Sequence, residues 1–274
     1  MKARRILFSL ILALVFSLSA CTKPVLPEPK EAFSHISQYQ GWADDEGYGH
    51  GALEDEGMSG MMQDTYRTKP GMAGYDSGRI VIGDSRCCQL GIYQERAGIA
   101  GFAAFAVWGG HYAEKQPYIP TADFWSEVFA CFREQAKARG KCEIFFFATV
   151  NDYDADGYND DNIAAAIACA EKLAMMECEQ NGVTIRPTVI VIGPEGCGSG
   201  ERAWLDPTVF NRSIASYNDS LREAVAKSFV LKGGLDRFTT VPELTGGRTD
   251  FIDDGLHYGD KTLGILAGFI CSFK

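Results

Sequence analysis

The chain has 274 residues, 46% of them apolar, enough for one domain with a full core or two small ones. Its formal net charge is −10 at pH 7. An acidic surface repels phosphate backbones, which sets nucleic acid aside as a partner.

The first predicted element is a leader. Lys2, Arg4 and Arg5 form a basic start, and residues 6–20 are uncharged and mostly apolar. That stretch is shorter than the roughly 20 residues a membrane-spanning helix needs. The pattern predicts a signal peptide over residues 1–20. Its end, Leu18-Ser19-Ala20-Cys21, resembles a bacterial lipobox. The resemblance implies cleavage before Cys21 and a lipid on its thiol, hence an extracytoplasmic protein anchored to the bacterial cell membrane. An ordinary secretory signal that happens to meet a cysteine is the plainer alternative. Residues 21–75 are Pro-rich and charged, then rich in Gly and acid, with no sustained period, and are read as a flexible stalk. Phe33, Ile36, Tyr39 and Trp42 are the residues through which part of it would pack on the domain.

From residue 76 to 274 strands and helices alternate. "RIVIG" and "FAAFAVW" read as short buried strands. "DFWSEVFACFREQAKARG" has helical spacing at Phe124, Val128 and Phe132 and stops at Gly140. "CEIFFFATV" is a continuous apolar strand running into Asn151. The next stretch predicts a helix through Ile163, Ile167, Ala170 and Ala174, ending at Asn181-Gly182. "TVIVIG" is a strand. Asp206-Pro207 opens a long helix with Phe210, Ile214, Tyr217, Leu221 and Val225 on one face, and a last helix runs from about Gly259 to Phe273. Uninterrupted apolar strands alternating with helices predict an α/β fold with a mostly parallel sheet covered on both faces.

In such sheets the site lies beyond the carboxyl ends of the strands. The residues that follow the apolar runs are Gly83-Asp84-Ser85, Gly109-Gly110-His111 and Asn151-Asp152. Polar and reactive groups therefore gather at one predicted edge. Acyl transfer requires a hydroxyl nucleophile, a base, a group to orient that base, and donors for an oxyanion. Ser85, expected at the exposed tip of a tight turn, supplies the hydroxyl. His257 supplies the base, and Asp254, three residues earlier, is spaced to hold its imidazole. The Ser85 N–H, the Gly109 N–H and the Asn151 amide are the oxyanion donors.

This ordered set resembles the SGNH, or GDSL-type, hydrolase family. Gly83-Asp84-Ser85 matches its first block, Gly109 or Gly110 its glycine block, Asn151-Asp152 its third, and Asp254-Gly255-Leu256-His257 its closing Asp-x-x-His. The resemblance spans about residue 79 to the C-terminus and implies a three-layer α/β/α sandwich, flavodoxin-like, acting as a serine ester hydrolase with no metal or organic cofactor. Two positions depart from it. Thr149 stands where the third block usually has glycine, and Arg86-Cys87-Cys88 follows the serine where the family is often more hydrophobic. Arg86 either binds a substrate carboxylate or sulfate or, as the simpler expectation, pairs with Asp84 or Asp152. Gly110, His111 and Asp152 are further candidate substrate contacts. A solvated role for His111 and a loop-positioning role for Asp152 are the alternatives.

The expected substrate is a short acyl ester, such as an O-acetyl group on a glycan. That expectation comes from the leader and the family habit, not from any residue. An O-acyltransferase on cell-surface glycans keeps the same fold and nucleophile. A lipoprotein that only binds glycans or solutes is the non-enzymatic alternative. Of nine cysteines, Cys21 is the anchor and the other eight are expected as buried free thiols, since most lie within helix or strand patterns. "DYDADGYND", Asp152 to Asp160, has the front of a calcium loop, but its twelfth place is Ile163, so no metal is expected there.

Overall fold

Short apolar runs, each bounded by turn residues, assemble into one twisted sheet. The computed structural model describes residues 65–107, 122–152, 157, 159–198, 206–231, 237–252 and 254–273. The strands are β1 (Thr65–Arg67), β2 (Arg79–Gly83), β3 (Ala103–Val107), β4 (Glu143–Phe147), β5 (Cys178–Gln180), β6 (Val183–Ile185), β7 (Thr188–Gly193) and β8 (Phe238–Thr240). The helices are α1 (Ser85–Arg96), α2 (Ala122–Arg139), α3 (Asp160–Ala174), α4 (Pro207–Lys227), α5 (Val241–Thr245) and α6 (Asp260–Ser272). The main sheet runs β1-β3-β2-β4-β7-β8; β5 and β6 form a separate hairpin. All pairings from β3 to β8 are parallel, and only β1 is antiparallel.

Alternation along the strands divides the core in two. Ile80, Ile82, Phe105, Ile144, Phe146 and Val191 face α2, α3 and α4, where they meet Phe124, Phe132, Ala170 and Leu221. Val81, Ala104, Ala106, Phe145, Ile190 and Ile192 face α1 and α6, where they meet Leu90, Leu266 and Ile270. Period-two side chains on strands buried on both faces give two such layers, so the expected α/β/α sandwich is the observed one.

Connection order creates the crevice. The chain passes from β2 to β3 on one side, then crosses to β4 on the other side of β2. The carboxyl end of β2 therefore lies between the loops that follow its two neighbours, a switch point where open sheets bind ligands.

Three expectations are corrected. The sheet begins before residue 76. Thr65 pairs with Val107, Thr68 exchanges hydrogen bonds with Ala104 (2.9 and 2.8 Å), and Tyr75 is buried with its carbonyl bound to Gln135 Nε2 at 2.6 Å. The part of the assigned stalk from 65 to 75 belongs to the domain; a three-residue strand is too short to show a period. The rest of that segment, the leader and Cys21 lie outside the described residues.

The helix expected to reach Asn181-Gly182 ends at Ala174. Those two residues both have positive φ (51° and 77°) and turn the β5–β6 hairpin. Asn-Gly suits a two-residue hairpin turn because both central residues must be left-handed. Finally, β8 and α5 were not expected. Thr240 caps α5 in a reciprocal box with Glu243, a T-x-x-E signal present in the sequence.

Candidate active site

Gly83 closes β2 where a Cβ would meet Cys87 Sγ at 2.3 Å and Phe147 Cβ at 3.1 Å, so the turn is open only to glycine. Asp84 is the N-cap of α1. Its Oδ1 accepts from Arg86 N at 3.0 Å, and its carbonyl accepts from Cys87 N and Cys88 N at 2.9 and 3.0 Å. Ser85 is thus the first residue of a helix, where the main-chain N–H groups lack intrahelical acceptors and the helix dipole favours negative charge. No described residue accepts from the Ser85 N–H. Ser85 is 4% exposed and lies under the His257 ring, not at an exposed tip as the turn signal suggested.

His257 comes from the loop between α5 and α6. Its Nε2 lies 2.9 Å from Ser85 Oγ, and its Nδ1 lies 2.5 Å from Asp254 Oδ2. Asp254 Oδ1 accepts from Leu256 N and His257 N at 2.8 and 2.9 Å. The carboxyl therefore shapes the turn as well as holding the ring. Burial alone would raise the pKa of Asp254, but the His257 ring and those two N–H groups outweigh it and hold the carboxyl well below its usual range. The turn is closed by Gly255 (φ 67°) and by an isolated bridge between Phe251 and Tyr258. Behind it, Asp250 accepts from Thr262 N and Thr262 Oγ1, pinning the loop to the start of α6.

The Asn151 loop follows β4. Asp84 Oδ2 is its hub, accepting from Thr149 Oγ1 at 2.8 Å, Val150 N at 3.3 Å and Asn151 Nδ2 at 3.4 Å. Thr149 Oγ1 also accepts from Asn151 N at 2.9 Å. Thr149, where the expected glycine is absent, therefore carries a hydroxyl bridge between the Ser85 turn and the Asn151 loop. Val150, Phe210, Ile214 and Leu256 form a small apolar cluster, to which the Asn151 and His257 loops each contribute a residue.

Ser85, His257, Asp254 and Asn151 are thus brought to one sheet edge. Gly109, Gly110 and His111 lie outside the described residues. Asp152 turns away, wholly buried. Burial, reinforced by its carboxyl, pushes up the Tyr217 hydroxyl and the Cys169 thiol.

Arg86 pairs with neither expected acid, and its donors are not left for a substrate. The guanidinium is buried against main-chain carbonyls: Nε on Leu256 O at 3.0 Å, Nη1 on Glu195 O at 2.6 Å and Nη2 on Gly196 O at 2.6 Å. Asp84, the acid next to it in the sequence, is committed to the cap of α1 and to the Asn151 loop. Sequence reasoning missed Gln89, Tyr258 and the Glu195-Gly196 loop. The strand-end rule, applied to the residues after β7, would have found the last of these.

Among the described residues no three His, Cys, Asp or Glu side chains converge as a metal-ligand group. In the calcium-like stretch, Asn159 caps α3 and Asp152 is buried, while Asp154 and Asp156 lie outside the described residues. The eight cysteines other than Cys21 are free thiols, six of them buried. Among the described residues no helix is long and apolar enough to cross a membrane.

No protein-family model matches the sequence, and no curated protein matches it. Among solved structures, the chain is similar to the native aryl esterase of M. smegmatis, with a TM-score of 0.48 and 15% identity over 72% of this chain and 99% of that one. It is also similar to a carbohydrate acetylesterase from Sinorhizobium meliloti, with a TM-score of 0.45 and 11% identity over 70% and 96% of the two chains. At such distances nothing about chemistry transfers.

Proposed function

We propose that the protein is a serine ester hydrolase of the SGNH type, working through an acyl-Ser85 intermediate. The observation that carries this is the continuous relay from Ser85 Oγ to His257 Nε2 (2.9 Å) and from His257 Nδ1 to Asp254 Oδ2 (2.5 Å). A nucleophile, its base and the group that orients the base stand within hydrogen-bond reach, as acyl transfer requires.

Ser85 Oγ attacks the ester carbonyl carbon as its proton passes to His257 Nε2. The ionised Asp254 carboxylate keeps the ring proton on Nδ1, so Nε2 is the basic nitrogen, and it stabilises the imidazolium. The carbonyl oxygen becomes an oxyanion at the N-terminus of α1, with the Ser85 N–H and the Asn151 amide as donors. His257 returns its proton to the leaving alkoxide, which departs as an alcohol. Water then attacks the acyl-serine with His257 again as base, releasing the acid and restoring Ser85.

Short acyl esters, O-acetyl groups on glycans among them, are the substrates this reading favours. It is paired with the reading of the leader: an extracytoplasmic enzyme held to the membrane by a lipid on Cys21. The support is the basic start, the short apolar stretch and the small residues before Cys21. In cells, Cys21→Ser should lose the lipid and leave the membrane fraction; a mutant that stays membrane-bound beside a lipid-free wild type refutes the anchor.

The chemistry is tested with a fluorophosphonate probe and a panel of short acyl esters and acetylated glycans. The expected result is one phosphonylated residue, Ser85, and ester turnover lost in Ser85→Ala. Turnover that survives in Ser85→Ala would overturn the reading.

A further inference from the structure

Arg86 directly follows the nucleophile, and its side chain is buried with no carboxylate among its described hydrogen-bond partners. We propose that Arg86 is a positioning residue of the reaction. From the position after the nucleophile it grips the residues on both sides of the base, and so sets the alignment of Ser85 with His257. The inference rests on the hydrolase reading above, since it concerns the same relay.

The geometry is specific. Arg86 Nε donates to the carbonyl of Leu256, the residue before His257, at 3.0 Å. Nη1 donates to the hydroxyl of Tyr258, the residue after His257, at 3.0 Å, and the guanidinium carbon lies 4.6 Å from the centre of the Tyr258 ring. Nη1 and Nη2 also hold the carbonyls of Glu195 and Gly196, both at 2.6 Å. The Arg86 N–H is itself fixed by Asp84 Oδ1 at 3.0 Å. One turn along α1, Gln89 Oε1 accepts from Tyr258 N at 3.2 Å. The first turn of α1 therefore contacts residues 256, 257 and 258 in succession, across 172 positions of sequence at the Ser85–His257 contact.

An arginine suits this task for a physical reason. Its planar fork carries donors in fixed directions, whereas a lysine ammonium is a point charge on a flexible stem. Filling space here would not require a charge, and a well-packed apolar side chain avoids the desolvation that a buried guanidinium suffers. What an apolar side chain cannot do is fix the orientation of the Leu256 carbonyl, and with it the peptide that carries His257. A displacement of the base by about 1 Å is enough to reduce turnover about 10²-fold.

The test compares wild type with Arg86→Met, Arg86→Lys and Arg86→Ala, with the folded fraction measured in each sample. For Arg86→Met, kcat per folded molecule should fall about 10²-fold while KM stays within about threefold, since no substrate contact is removed. The rate of fluorophosphonate labelling at Ser85 should fall in parallel. Arg86→Lys should recover little. In Arg86→Ala, added methylguanidinium should restore a substantial part of kcat without altering KM, and should leave wild type unchanged. Should Arg86→Met not fold, Arg86→Lys and the rescue of Arg86→Ala decide the matter. A folded Arg86→Met or Arg86→Lys that keeps kcat within about threefold overturns the proposal, as does a loss that tracks the unfolded fraction and is not rescued. One readout stands apart from ester cleavage: the low-field proton resonance expected for the His257 Nδ1–Asp254 hydrogen bond. If wild type neither cleaves esters nor labels, the hydrolase reading fails. Loss of that resonance in Arg86→Met then sustains the positioning role, and an unchanged resonance overturns it.

Discussion

Ser85 and His257, the proposed nucleophile and base, are held in opposite ways. Ser85 is fixed by its neighbours in sequence: Gly83 makes the turn, Asp84 caps the helix, and the next four residues continue it. His257 is bonded to Asp254 within its own loop, but that loop is fixed by remote partners. Its loop leans on Arg86 and Gln89 of α1, on Thr262 of α6, and on Gly198, whose N–H reaches Gly255 O at 2.8 Å. A helix cap is a local device that a few residues can specify, whereas an irregular loop has no ladder of its own and must bond its main chain to other segments. The Ser85–His257 distance is therefore decided on the His257 side.

The largest expected effect removes the locally held partner. Ser85→Ala should lower ester turnover by about 10⁶-fold and leave the melting temperature close to wild type, because a hydroxyl is removed and the helix cap stays. Calorimetry with a kinetic assay checks both halves. A large loss of stability would mean that Ser85 also holds the turn.

Asp254→Asn comes next, and the structure makes it severe. Oδ1 is committed to two main-chain N–H groups, so the amide nitrogen must face His257 Nδ1. Two donors cannot face each other, so the ring proton moves to Nε2, the nitrogen that must be basic. A loss of about 10⁴-fold in kcat is expected. If turnover falls less than tenfold, the loop re-forms around the amide and the base side is less rigid than its contacts imply.

The Asn151 loop, the proposed oxyanion donor, lies between these extremes. Asn151→Ala should reduce kcat by about 10²–10³-fold, the usual consequence of losing one oxyanion donor. Thr149→Val, which keeps the shape but removes the hydroxyl between Asp84 and Asn151 N, should act in the same direction and more weakly, by about tenfold, a loss of about 1.4 kcal/mol. Thr149→Ser should restore most of it. Equal activity in Thr149→Val and wild type would show that the bridge only fills space.

The smallest effects separate the two regions by pH. On α1, burial pushes the Cys88 thiol up to about 12 and the Cys87 thiol up as well. A thiol whose folded value is raised favours the native state fully below about pH 9, and that contribution disappears as pH rises from there towards 12. Asp254 shifts the other way. Its depressed folded value favours the native state above the ordinary carboxylate range, and the contribution is lost as pH falls below it. Urea midpoints measured across pH, with hydrogen exchange to localise the change, should show alkali loosening α1 and acid loosening the loop from residue 250 to 259. The reverse assignment would contradict the comparison.

Sequence alone determined the elements that are long or strictly periodic: the five-residue strands, the two-sided burial they imply, and the apolar face of α4, all five of whose expected residues are buried. It also placed Ser85, Asn151, Asp254 and His257 at strand ends or before the last helix, because reactive groups next to apolar runs stand out against a patterned background. Tertiary structure decided what had no pattern to read. β1 and β8 are three residues each and exist only because a neighbouring strand offers a ladder. The destination of Arg86 depends on carbonyls 109 and 170 residues away, which no local spacing encodes. Thr149 read as a departure from a glycine, and only the fold shows its hydroxyl between Asp84 and the Asn151 N–H. Local propensity and hydrophobic period act over a few residues, while a hydrogen bond between segments depends on where the whole chain has packed. That is why the residues of this site were legible in the sequence and the contacts that align them were not.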